Sequence, residues 1–373
     1  MPANGVSTPS SIPDRDVADL AEVTLVARGI ATAVAPESGL TDVQAALLRA
    51  IASALTGYEV DYHELEPLGP DELAGLLERR DMGYRQRIVH HMVLGELVLR
   101  PLPQAVALRV ATYAKALGID DRFVRVARRY AQGAYGLAWK DLRRSGFTEH
   151  LQQADMQQLH TSLGVDDPFV PAGTDPQLEE CWSGFEELPA GTLGRLAWEM
   201  YTGRGFALPG NAAGPSAFLA QHDFVHVIAD YGTNLKGELE AFALIGRADP
   251  DPKGFAWLAT LVGLFETGYI EDTGFFERDV REHQIQAEGM HHRIADGIRR
   301  GKVVCEAFKT DLFEVDYHAL AGRPVEDVRE LLHVPEKSRD AMESGSAGLF
   351  DRAGMSLIQQ KYVDEHAQPG GDA

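Results

Sequence analysis

Two cysteines, Cys181 and Cys305, are all that this chain of 373 residues contains. Set far apart, they exclude a disulfide framework and a cysteine-rich zinc site, and they fit a reducing, intracellular compartment. Basic residues are scarce as well: 35 Lys and Arg stand against 56 Asp and Glu, a formal net charge of −21. A sequence-independent nucleic-acid binder needs a basic surface to displace counterions, so that class is excluded. A stable electrostatic hold on anionic lipid is disfavoured for the same reason, whereas hydrophobic contact with a membrane is not. No apolar stretch is long enough to cross a bilayer; the longest uncharged one lies near 255–265. Residues 1–15 carry Ser, Pro and Ala without a basic region and apolar core, and do not read as a secretory signal. The Gly-x-Gly-x-x-Gly and Walker-type phosphate loops are missing, and so is the Gly-x-Ser-x-Gly nucleophile turn, since 214–218 lacks its second glycine. These absences leave a cytoplasmic protein that could sit at the inner face of the membrane only peripherally.

What is present is helical periodicity. The hydrophobic share of 45% is ordinary for a folded chain. In 41–56, Val43, Ala46, Leu47, Ala50, Ile51 and Leu55 share one face, with Thr41 as an N-cap and Gly57 as a stop. Similar patterns cover 71–78, 84–98, 103–117 and 122–145, and after a break 193–201, 216–230, 238–246, 255–269, 275–313 and 324–332. Alternating strand runs are lacking, so the expected fold is all-α. The Gly- and Pro-rich stretch 164–176 reads as a linker. The length then suits two helical domains: a disordered tail at 1–15, an N-terminal domain at 16–163, a linker at 164–178, a second domain at 179–335, and a C-terminal helix with a frayed tail at 336–373.

The sharpest feature is His222-Asp223-Phe224-Val225-His226. Two histidines four apart on a helix lie one turn apart on the same face, which suits two ligands of one metal ion. The acid after the first histidine is Asp223 rather than the Glu of the zinc-protease pattern, and it reaches less far. It could ligate the metal, orient a histidine, or serve as the catalytic acid/base. After a turn at 230–234, a helical hairpin would bring Glu238 back beside the histidines. Two imidazoles with one or two carboxylates suit zinc, with manganese and iron as alternatives. The plainer reading makes His222 and His226 polar residues of a half-buried helix.

His-Asp-x-x-His followed after eleven residues by Glu resembles the signature of the Coq4 family of ubiquinone-biosynthesis proteins. The resemblance extends to 188–194, which looks like the family's Leu-Pro-x-x-Thr-x-Gly segment. It includes Gly237-Glu238 and the closing segment 295–334 with Gly297, Gly301, Asp316, Pro324, Val328-Arg329 and Leu332. It spans about 181–335, less than half of the chain. It implies an all-α metal domain in which His222, Asp223, His226 and Glu238 form the site, usually with zinc. It also implies an apolar pocket for a prenyl chain, and contact with a membrane or a biosynthetic enzyme complex. The activity implied is removal, simple or oxidative, of the ring carboxyl from a prenylated hydroxybenzoate-like substrate. The alternatives are a non-catalytic lipid-binding scaffold and a metallohydrolase. Phe218, Leu219, Phe224 and 255–265 are candidates for the pocket, though ordinary core is the simpler reading of such residues. The family's Arg-rich stretch before His-Asp is absent from 217–221, leaving Arg195 and Arg204 as substitutes for holding an anionic headgroup.

The N-terminal half, through 45–64 and Leu117-Gly118-Ile119, weakly resembles tellurite-resistance B-like helical domains. That likeness implies an interaction module, with Glu59, Asp61 and Glu64 either near a metal or, more simply, forming a solvated acidic turn. A homo-oligomer is compatible with all of these readings.

Overall fold

The computed structural model describes residues 19–99, 101–120, 124, 174–215, 217–250, 254, 258, 284–285 and 287–366. The expected tail at 1–15, nearly all of the helices at 122–145 and 255–269, and most of the linker at 164–176 lie outside the described residues. Among the described residues the chain is all-α: fourteen α-helices, four short 3-10 turns and no strand.

In the N-terminal half lie α1 (Leu20–Val34), α2 (Asp42–Thr56), α3 (Pro70–Leu76), α4 (Met82–Leu97) and α5 (Gln104–Ala116). Helix α2 starts where the sequence places it. Thr41 and Gln44 form a reciprocal capping box, and Gly57 at φ 78° ends the helix. Gln44 is also buried and donates to the carbonyls of Val34 and Gly95, tying α2 to α1 and α4. Helix α4 is buried along its whole second half, from Ile88 to Leu97, including His90, His91 and Glu96.

That burial makes a testable point about acid. Desolvation, and then the neighbouring His90, Arg87 and Arg247, push the His91 imidazole from 6.5 down to about 3. The unfolded chain therefore takes up a proton below pH 6.5 that the folded chain refuses. The stability is complete above pH 6.5 and falls as the pH drops towards 3, by up to roughly 5 kcal/mol. His91→Met should remove most of this slope, and denaturant unfolding at pH 7 and pH 4 measures it; an unchanged slope counts against the assignment.

The C-terminal half contains α6 (Pro176–Gly184), α7 (Leu193–Gly203), α8 (Ala217–Ala229), α9 (Leu235–Ala248) and α10 (Met290–Ala307). The short α11 (Tyr317–Leu320), α12 (Val325–Leu331) and α13 (Arg339–Glu343) follow, and then α14 (Leu357–His366). Asp175 caps α6, with Pro176 in its first turn. Helices α9 and α10 lie against each other through bare backbone. A Cβ at Gly297 would stand 2.8 Å from the Ala243 Cβ, and one at Gly301 2.3 Å from the Leu244 carbonyl oxygen. The segment around Gly191, at φ 80°, docks on the start of α12. Leu193 and Gly194 donate to the carbonyls of Arg323 and Ala321, and Val325 donates back to Gly191. The 188–194 and 321–325 segments are thus parts of one contact.

One expectation is corrected. The long helix expected over 275–313 begins, among the described residues, only at Met290. Gly289 at φ 75° breaks the run, and the helix stops at Ala307. Helix α14 runs to His366, the last described residue.

The two halves share one apolar core. Helix α10 packs along α2, and Lys302 Nζ donates to the Leu55 carbonyl at 2.7 Å. No helix among the described residues is long and apolar enough to cross a membrane.

Candidate metal centre

The centre is made by α8, the turn 230–234 and the first turn of α9. Asp230 adopts a left-handed φ of 56°, which Asp tolerates, and so reverses the chain after α8. Asn234 then caps α9, its side chain accepting from Gly237 N at 2.9 Å. The hairpin folds Glu238 back onto the two histidines, as the spacing predicts.

His222 Nε2 lies 3.3 Å from Glu238 Oε2, and His226 Nε2 lies 3.4 Å from Glu238 Oε1. The side chains of His222, His226 and Glu238 are 12%, 0% and 13% exposed. One ligand atom from each of the three lies within 4.8 Å of the others. Ligands about 2.0–2.1 Å from a tetrahedral ion stand roughly 3.3–3.4 Å apart, and each histidine–carboxylate spacing is of that size. The tautomer fits too. His226 Nδ1 donates to the Gly232 carbonyl at 2.9 Å, which leaves the Nε2 lone pair directed at the cluster. His226 Nε2 is itself buried without a hydrogen-bond partner. Burial pushes the Glu238 carboxyl up, but the His226 and His222 imidazoles, when protonated in the absence of an ion, outweigh it and hold the group well below the usual carboxylate range.

Asp223 does not join the three. Its Oδ2 accepts from the Tyr201 hydroxyl, and its Oδ1 lies 3.5 Å from His222 Nε2. Burial, together with Asp223, raises the Tyr201 phenol well above its ordinary value, so Tyr201 stays a donor. Sequence reasoning missed Tyr201, which sits a helix away on α7 and carries no motif.

It also missed the brace around the turn. Thr233 and Asn234 donate their amides to the Gly354 carbonyl at 2.7 and 3.0 Å. Lys337 Nζ donates to the Asp230 carbonyl at 2.6 Å, and Asp230 Oδ1 accepts from Leu349 N at 2.8 Å. Gln359 of α14 accepts from Thr233 Oγ1 and donates to the Thr233 carbonyl. Residues 337–359 are therefore built into the site.

Three alternatives left open by the sequence are narrowed. Arg204, offered as an anion holder, is buried and donates to Thr233 Oγ1 and to the carbonyls of Met200 and Leu349. Arg195 is bonded to Glu199 and to the Glu186 carbonyl. Phe224 lies fully buried among Trp182, Phe185 and Tyr317, as core rather than pocket wall. The side chains of Phe218 and Leu219 lie outside the described residues. In the acidic turn, Asp61 accepts from His63 N as a local cap, and among the described residues no converged ligand set includes Glu59, Asp61 or Glu64. A second pairing escaped the sequence: Cys181 Sγ lies 3.2 Å from His318 Nδ1, with burial and then Asp316 pushing the thiol up, so it is held as the thiol.

Fold and side chains together define an all-α protein with a buried cluster of two histidines and one carboxylate. No family model matches the chain, and no curated protein matches it. A crystal structure from Nostoc punctiforme PCC 73102, of a protein whose name places it provisionally in ubiquinone biosynthesis, aligns with 68% of this chain and 98% of its own length. The identity is 18% and the TM-score 0.30.

Proposed function

We propose that this chain is a metal-dependent protein of quinone or prenyl-lipid biosynthesis that removes the ring carboxyl from a prenylated hydroxybenzoate-like substrate. The observation that carries the metal is the buried His226 Nε2, without a partner and aimed between His222 and Glu238. The substrate class rests on the resemblance carried by His222, Asp223, His226 and Glu238. His222, His226 and Glu238 hold the ion: zinc, with manganese or iron as alternatives. Bound there, the ion supplies Lewis acidity to the oxygens of the substrate ring. With three converging protein side chains such an ion would have room for substrate, which favours an enzyme over a scaffold whose structural site four protein ligands would close. The carboxyl departs as carbon dioxide and the ring carbon takes up one proton. Asp223, steadied by Tyr201 at the edge of the cluster, is placed to carry that proton.

Elemental mass spectrometry on tag-free protein, purified without added metal, tests the reading. About one zinc, manganese or iron per chain is expected, with carbon dioxide release from a prenylated hydroxybenzoate depending on it. Iron would indicate an oxidative version of the reaction. No metal, and none taken up on incubation, overturns the metal-dependent reading in favour of the lipid-binding scaffold.

A further inference from the structure

A second site lies apart from the histidine cluster, lined by α1, α2 and α4 together with Arg247 of α9 and Lys302 and Glu306 of α10. A cavity of about 130 Å³ opens there. Its apolar wall includes Val26, Ile30, Leu48, Ile51 and Leu55. An engineered cavity of about 150 Å³ in another protein takes up benzene, so a ring or a medium-length alkyl chain is the right scale of occupant.

The charged lining is predominantly cationic. Arg87, Arg247 and Lys302 reach the cavity. Among the described residues the only acid there is Glu306, which is exposed to solvent. In a chain with a net charge of −21, such a local excess of cations is not a matter of composition. The Nε and Nη1 of Arg247 are buried without a hydrogen-bond partner. Leaving guanidinium donors dry and unmet costs free energy that a bound acceptor would recover. The field is felt next door, since Arg87 and Arg247 both help to keep His91, in the same lining, neutral.

We propose that this cavity binds a small apolar carboxylate, with a body the size of a benzene ring or a medium-length alkyl chain and its anionic head on Arg247. Apolar walls take the body, and the Arg247 donors with the nearby cations take the head. The site is independent of the metal centre, so the two readings stand or fall separately.

Calorimetric titration of the full-length chain with octanoate and with benzoate is the test. Saturable binding is expected, at least tenfold tighter for octanoate than for octan-1-ol of the same length. Arg247→Gln should weaken octanoate tenfold or more and leave octan-1-ol unchanged, while Arg247→Lys should restore part of the loss. Removing metal with a chelator should not alter any of these affinities. No saturable binding up to millimolar octanoate, equal affinity for octanoate and octan-1-ol, or wild-type affinity in Arg247→Gln would overturn the proposal. If Arg247→Gln fails to fold, the acid-against-alcohol comparison on the wild-type protein still decides.

Discussion

Substituting His226 by alanine is expected to empty the cluster of metal while leaving the helices in place. The side chain is fully buried and its Nδ1 is already committed to the Gly232 carbonyl. Its Nε2 thus has one remaining use, and among the described residues only His222 and Glu238 converge there beside it, with no third histidine to take its place. Outer partners of a metal ligand are worth roughly 10–100-fold in affinity, so removing the ligand itself should cost more than about 100-fold. Glu238→Ala should do the same, because that carboxylate turns one oxygen to each imidazole. A bound ion at a thousandfold excess over Kd stabilises the fold by about 4 kcal/mol. The wild-type protein should therefore melt at a lower temperature in chelator, and both variants should melt alike with and without it. Far-ultraviolet circular dichroism checks that the helices persist. Full metal content in both variants would remove these residues from the ligand set.

The helices that sequence placed best are those with local signals. Helix α2 has its cap, its apolar face and its stop glycine within one short stretch, and the structure follows each of them. Helix α10 was misjudged because nothing local distinguishes Gly289 from a tolerated helical glycine until its φ of 75° is seen. Its neighbours Gly297 and Gly301 are open to the same ambiguity. They remain helical because α9 lies too close for any side chain, a fact about another helix.

The same division runs through the site. His222, His226 and Glu238 are separated by one helical turn and one hairpin, so helix geometry alone brings them together. What orients them is not local. Tyr201, which holds Asp223, lies on α7, and Gly354, Lys337 and Gln359 reach the turn from the C-terminal segment. Each is a hydrogen bond to backbone or a single polar contact, which leaves no periodic trace in the sequence. Arg204 shows the converse. A basic residue near a candidate site invites assignment to a ligand, but its donors are spent on Thr233 and on carbonyls that hold the turn.

Replacing Gly237 by alanine should damage the metal centre without touching a ligand. A Cβ at this position would fall 1.9 Å from the Gly232 carbonyl oxygen and 2.6 Å from its carbon. Both contacts are with backbone, so no side-chain rotation relieves them. The turn cannot simply retreat, because Gly232 is packed on the other side, where its own Cβ position lies 2.4 Å from the Gly354 Cα. The oxygen that must move is the one that accepts from His226 Nδ1. Two consequences follow from one added methyl group. The overpacked turn should destabilise the fold by about 3 kcal/mol, at the upper end of the usual range for such changes. The displaced carbonyl should free the His226 ring and lower metal affinity roughly 10–100-fold, as loss of a ligand's outer partner does. Gly75→Ala is the control: it lies within α3 and meets nothing within 4 Å, so the melting temperature and metal affinity should be unchanged or slightly raised. Competition titration against a chromophoric chelator, run beside thermal melts, separates the two effects. If Gly237→Ala melts lower yet binds metal as tightly as the wild type, the Gly232 carbonyl does not set the His226 ring. The bare backbone at Gly237 would then serve packing alone.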